Sequence, residues 1–311
     1  MKHSLKILFV FAFFLSVCTP AWSDRLLLPQ NGGAVVLDGD DFSELQRLAW
    51  GTRSSSLLDI HPSGSVVASY SHDEGLVFWN TRNLSEASRY RQPLFEGALD
   101  MKFSLSGDEL YFLSPSLRSV IVFDLKSSEV SRLVPVPGKS PHSISVNSHG
   151  ILVEQERALS LISTSSESSL VAQFHFAHDL LASVVADGRL FVSLDGEDSL
   201  SAFDLPSGRS LEDVPLERAP EKIIASRAGG KLYVLADGGL VQSWGVNGGA
   251  PRWSVVLDGV SPDFVCEGRD SGRVYLLDLR AGIIVSVDAE RGRELARRRL
   301  PQRLSKALAL P

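Results

Sequence analysis

A turn glycine followed by an apolar strand recurs along this chain at Gly64, Gly107, Gly150, Gly188, Gly230 and Gly272, at intervals of 43, 43, 38, 42 and 42 residues. The runs that follow, such as ELYFL after Gly107 and KLYVL after Gly230, are short and rich in β-branched and aromatic residues. Ser, Asp, Asn and Gly bound them, which is the pattern of strands and turns rather than helices. A second landmark follows each glycine, a strand that ends in a large apolar residue and then a turn former. It reads Trp79-Asn80, Phe123-Asp124, Ile162-Ser163, Phe203-Asp204, Trp244-Gly245 and Val287-Asp288, with a further copy upstream at Leu37-Asp38. Self-similarity at about 40 residues with four short strands per unit predicts an all-β fold, a β-propeller with four antiparallel strands per blade.

Counting the Gly64 copy as blade 1, six blades run to the Gly272 copy, and the two chain ends make the seventh. One period before Gly64 falls near residue 22 and one period after Gly272 falls near 314, so the seventh blade is expected to be split. Ser305–Leu310 supplies its innermost strand and Arg25–Gln30, Ala34–Asp38 and Glu44–Ala49 the other three. Such a closure removes the sheet edge between first and last blades. Residues 24–311 then form one domain without a linker, and the Ser-rich stretch Ser163–Ser169 falls at the outer turn of blade 3. Trp79 and Trp244 occupy the large apolar position of the repeat and are expected between blades.

Residues 1–23 carry the three parts of a secretory signal. Lys2 and Lys6 precede the apolar run Ile7–Val17, and the small residues Ala21 and Ser23 stand at −3 and −1 of a cleavage site before Asp24. Processing there takes two of the 31 basic residues, leaving 29 against 37 acids, about −8. A phosphate-neutralising nucleic-acid binder is thereby disfavoured. It also removes Cys18 and leaves Cys266 alone, so the exported chain forms no internal disulfide. That usage fits a bacterial periplasm better than an animal secretory route. No later apolar run is long enough to span a bilayer.

Residues 119–153, SVIVFDLKSSEVSRLVPVPGKSPHSISVNSHGILV, resemble the WD40-like propeller repeats of the YVTN type. Those run V-x-V-[IF]-D, a charged turn, V-x-x-[IV]-x-V-G and then P-H-x-[IV]. Blades 5 and 6 keep the tyrosine strand as Leu232-Tyr233-Val234 and Val274-Tyr275-Leu276. Gly249, four residues before Trp253, is similar to the G-x-x-x-W docking turn of quinoprotein propellers, whereas blade 6 has Ala296 at the Trp position. The resemblance implies an exported scaffold, an accessory protein of a quinone or haem enzyme, or occasionally an enzyme. Fold alone does not choose among these.

In a propeller the loop that enters each innermost strand forms one rim of the axial channel. The entering positions here are Asp100, His142, His178-Asp179, Pro220-Glu221 and Pro262-Asp263, with Lys306 in the split blade. Asp100, His142, His178, Asp179, Glu221 and Asp263 are the candidate ligand set, since carboxylates and imidazoles suit a hard cation, a cationic ligand or a transition metal. Cys266 reads as a small core residue. Asp38-Gly39-Asp40-Asp41 with Glu44 has the acid density of a calcium loop but the position of a hairpin turn. Arg291, Arg293, Arg297, Arg298, Arg299, Arg303 and Lys306 cluster on the outermost strand of blade 6 and beyond it. Such a cluster serves edge protection or docking of an acidic partner or anionic lipid headgroup. The chain has no G-x-S-x-G, H-E-x-x-H, C-x-x-C, P-loop or G-x-G-x-x-G, so the usual warrants for hydrolase, haem-attachment, zinc-protease and nucleotide chemistry are missing and no cofactor is required. Together these features predict a module that holds a partner protein in the cell envelope. The other reading is an enzyme or redox accessory subunit with a metal, quinone or haem-type ligand in the channel.

Overall fold

The computed structural model describes residues 24–30, 33–49, 57–165, 169–205, 207–226, 229–269, 272–300 and 308–310. They form seven four-stranded antiparallel sheets. Six are consecutive in sequence, spanning 57–90, 100–135, 143–175, 180–215, 220–256 and 264–299. In the seventh, Leu308–Leu310 pairs with Arg25–Leu27 and continues into Gly33–Asp38 and Glu44–Ala49. The split blade expected from the period is therefore present. Residues 1–23, Arg303 and Lys306 lie outside the described residues. The innermost strands follow one another round a ring, and Leu308–Leu310 lies against the innermost strands of both blade 6 and blade 1.

The second and third strands of a blade are covered on both faces by neighbouring blades. That is why they read as unbroken apolar runs, as in Leu110–Leu113 and Val120–Phe123, all fully or almost fully buried. The outermost strands are far more exposed, and Glu129–Pro135 is exposed at every second position. The core is correspondingly divided into seven apolar clusters, one between each pair of adjacent blades. Trp79 lies in the cluster between blades 7 and 1, and Trp244 in that between blades 4 and 5, as the repeat predicts. The six landmark glycines all adopt positive φ, between 63° and 140°, where a β-carbon is disfavoured.

The turn between third and outermost strands is built alike in blades 7, 1, 4 and 6. Its fifth residue donates its N–H to the carbonyl of the first, as Phe42 does to Asp38, Leu84 to Asn80, Gly208 to Asp204 and Gly292 to Asp288. Each fifth residue has φ between 56° and 68°. Asp38-Gly39-Asp40-Asp41 is one of these turns. Asp38 accepts the N–H of Asp40, and Asp40 is paired with Arg273 of blade 6.

Candidate functional site

Asp100 opens the innermost strand of blade 2 and is buried. Its Oδ1 accepts the N–H of Met101 (2.9 Å) and bonds Lys102 Nζ (3.2 Å). Its Oδ2 accepts from Ile144 N (3.0 Å) and Ser143 Oγ (3.2 Å) on the innermost strand of blade 3. The carboxylate thus caps unpaired main-chain donors at a sheet edge, its own and the next blade's. Two carboxylates that sequence reasoning missed do the same. Phe103 N of blade 2 donates to Asp59 Oδ2 of blade 1 (2.7 Å), and Ser183 N of blade 4 donates to Glu154 Oε1 of blade 3 (3.1 Å). Blades 1 to 4 are tied in series at the channel.

Lys102 stands among these acids with 31% of its side chain still exposed. Burial works against its charge, but Asp100 and Asp59 outweigh it and hold the ammonium above the ordinary lysine range. Asp59 is pushed up by burial, with Lys102 opposing.

The remaining rim candidates form pairs. His142 Nε2 lies 3.9 Å from Glu154 and is about half exposed. His178 Nε2 lies 3.5 Å from Glu197, and Asp179 is bonded to Arg157. Asp263 accepts the N–H of Leu279 (3.0 Å). Glu221 is raised above the usual carboxylate range by burial first, then by its bond to Asp237 and by the charges of Asp237 and Asp263. Glu221 and Asp263, from adjacent blades, are therefore neighbours, and Asp237 joins them. Among the described residues no three His, Cys, Asp or Glu side chains are arranged to hold a metal ion.

The opposite rim holds a cleft of about 410 Å³ between blades 2 and 3, lined by Ser106, Asp108, Glu109, Tyr111, Asn147 and Thr164 among others. Glu109 anchors it by accepting from Tyr111 (2.8 Å) and from Arg132 (2.8 and 3.3 Å), and Arg132 also reaches the Thr164 carbonyl (3.0 Å). Burial, followed by Glu109, drives the Tyr111 phenol far above its usual range. Nothing in the strand-to-turn pattern marks this cleft, because its lining comes from turns and strand ends of two blades.

Arg297, Arg298 and Arg299 of blade 6 are engaged within the molecule. Arg297 pairs with Glu294 (2.7 Å) and bonds the Asp258 carbonyl (2.7 Å). Arg298 bonds the Phe42 carbonyl of blade 7 (2.7 Å), and Arg299 that of Ala281 (3.3 Å). Cys266 is half-buried on the innermost strand of blade 6, beside the cluster shared with blade 7. No helix among the described residues is long and apolar enough to cross a membrane.

Trp253 of blade 5 lies over Gly292 of blade 6, where a β-carbon would stand 2.4 Å from Cε3 of the indole. Its Nε1–H donates to the Ala289 carbonyl (3.0 Å). The G-x-x-x-W spacing at Gly249 thus marks a real blade-to-blade dock. Residues 196–303, about a third of the chain, match the family model described as outer membrane protein assembly factor BamB. No curated protein matches the sequence. Solved structures align over most of it. Kluyveromyces lactis Hsv2 gives a TM-score of 0.65 at 12% identity, covering 80% of this chain and 84% of that one. The β-propeller domain of Myceliophteria thermophila Cps50 (Swd1) gives 0.64 at 15%, covering 80% and 88%. Dihydro-heme d1 dehydrogenase NirN, in complex with DHE, gives 0.62 at 15%, covering 89% of this chain but 64% of that one. These identities speak for the fold alone. The chain is a seven-bladed β-propeller whose residues 196–303, from within blade 4 to just past blade 6, are similar to the BamB family model.

Proposed function

We propose that this protein is an exported propeller that works as a binding scaffold, holding a partner protein in the cell envelope through a rim. The observation that carries the reading is the use made of Asp100. Its carboxylate is engaged in four hydrogen bonds that join two blades, so the acid that opens the channel serves the frame. Glu154 and Asp263 are likewise occupied by main-chain N–H groups. A rigid ring of this kind presents loops at fixed positions, which suits recognition of a surface. The match of residues 196–303 to an outer membrane assembly factor supports an envelope setting, as does the signal-like segment before Asp24. Asp24 itself bonds Arg269 N and the Tyr275 hydroxyl (both 2.9 Å), and a chain processed at Ser23-Asp24 keeps both bonds.

The test places a photo-crosslinking residue at His142, His178 or Glu221 on one rim, at Ser106 on the other, and at Arg299 on the blade 6 edge. Cells are irradiated and fractionated, and the purified protein is melted with divalent metals, haem and quinones. The scaffold reading expects a discrete adduct with an envelope protein from one rim, export with cleavage before Asp24, and no ligand-dependent rise in Tm. A concentration-dependent rise abolished by His142→Ala or Asp263→Ala, without any adduct, would replace the scaffold with a channel-ligand protein.

A further inference from the structure

The outermost strand of every blade leaves one row of main-chain donors and acceptors without a sheet partner, and most blades protect that row. Four of these strands open on Glu with Arg three residues later: Glu44 and Arg47, Glu86 and Arg89, Glu129 and Arg132, Glu294 and Arg297. In three of the four the two side chains are ion-paired on the strand itself, and in blade 2 Arg132 turns to Glu109 instead. Blade 2 adds Pro135 at its strand end. Blade 4 cuts its outermost strand to Val214-Pro215, and blade 5 keeps four residues entered through Pro251-Arg252. Charge, proline and shortening are the devices that stop an edge from recruiting another strand.

Blade 3 has none of these three, only the bulge at Val171 whose counterpart blades 1, 2, 6 and 7 also have. Its outermost strand, Leu170–His175, reads LVAQFH over six residues, with no Asp, Glu, Lys, Arg or Pro. Leu170 and Val171 are 48% and 49% exposed. The strand is nonetheless held firmly on its inner side. Phe174 and Ala172 pack into the cluster shared with blade 4, and Phe174 sits against Phe203 with ring centroids 5.4 Å apart. The Phe176 N–H donates inward to the Arg157 carbonyl, and Phe174 is directly paired with Leu159. Antiparallel alternation therefore turns the N–H and C=O groups of Gln173 and His175 outward.

We propose that this edge takes up an extended, uncharged peptide segment of a partner protein as a fifth strand of blade 3. The main chain of the partner satisfies the outward groups of Gln173 and His175, and its alternate apolar side chains lie beside Val171 on one face. A second copy of this chain is the weaker occupant. Two six-residue strands laid edge to edge bury far less than the roughly 1,200–2,000 Å² of a stable interface, whereas strand addition by a peptide functions at that size. The proposal goes beyond the rim reading, because this surface lies at the perimeter of the ring and uses main-chain rather than loop chemistry.

The experiment selects a random twelve-residue peptide library, displayed on phage, against the purified protein. It then measures the enriched peptides by titration against Val171→Lys and Gln173→Pro, with Glu221→Ala as the rim control. Proline at 173 removes an outward N–H and no ladder bond, and the lysine variant needs no backbone change. Peptides with alternating apolar residues are expected. Their binding should fall at least tenfold in both edge variants, stay unchanged in the rim variant, and slow amide exchange at Gln173 and His175. Absence of enriched peptides overturns the proposal, as does equal binding to the edge variants. Sedimentation as a dimer that Val171→Lys dissociates overturns it in favour of self-pairing. Loss of peptide binding in Glu221→Ala alone would move the site to the rim.

Discussion

Phe42 and Gly292 hold the same place, the fifth residue of the outer turn, in blades 7 and 6. Across the 5/6 interface Trp253 fills the space above Gly292. Across the 6/7 interface the Trp position is Ala296, and Phe42 is fully buried in the cluster that Ala296 joins. The bulky and the small partner have changed sides. Phe42 reaches this place at φ 59°, a conformation that costs a non-glycine residue on the order of 1–2 kcal/mol. Burial of the ring offsets that cost several-fold. Phe42→Gly should therefore destabilise by about 3 kcal/mol after strain relief, and Ala296→Trp by about 1–3 kcal/mol through overpacking. Their combination should cost at least about 1 kcal/mol less than the sum, measured by urea unfolding as a double-mutant cycle. The missing tryptophan was legible as Ala296, but its replacement was not. Phe42 lies on the facing blade, and a β-branch-free aromatic in a turn carries no mark of a positive φ.

The third-to-outermost turns of blades 2, 4 and 6 begin with an aspartate whose carboxylate accepts turn N–H groups. Ser127 donates to Asp124, Ser207 to Asp204, and Glu290 and Arg291 to Asp288. These bonds hold Asp124, Asp204 and Asp288 below the ordinary aspartate range. A folded pKa below the unfolded one gives stability that is present above about pH 3.9 and lost as pH falls through the lower, folded value. Asp59 and Glu221 act oppositely and at higher pH. Burial raises both, so protonating them favours the folded state. Between about pH 5 and pH 2.5 the Tm of a D124N/D204N/D288N variant should fall less than that of the parent, since asparagine keeps an acceptor that does not titrate. Calorimetry across that range checks it, and parallel curves would refute it. At this scale the sequence was most readable. Strand boundaries, turn glycines and the apolar–Asp pair all follow from local chemistry. The inter-blade carboxylates Asp59 and Glu154 were not, because their partners are main-chain N–H groups that any sequence would supply.

Ring closure rests on the pairing of Arg25–Leu27 with Leu308–Leu310. Ala309 and Leu310 are fully buried, and they join the clusters between blades 6 and 7 and between blades 7 and 1. Deleting residues 308–311 removes the innermost strand of blade 7 and exposes the inner edge of Arg25–Gln30. A broadened thermal transition with a Tm lower by about 10 °C or more is expected, the size of several kcal/mol on a chain of this length. An unchanged, sharp transition by circular dichroism would show that the other blades hold the ring without it. The period that revealed the blades also revealed this split, because a count of residues survives even where motif residues do not. The central and outer surfaces were less legible. Which acids converge at the channel depends on tilt and stagger, and which outer edge stands unguarded emerges only when all seven are compared.

The same pairing fixes an order of events in time. Leu308–Leu310, the strand that closes the circle, is made long after its partner, Arg25–Leu27. Until they meet, the inner edge of Arg25–Leu27 has no cover, and the contact joins residues far apart in sequence, a slow search by any topological measure. The ring therefore stays open until residues 308–310 have been made. An open chain is the form that can be threaded through a narrow pore and closed on the far side.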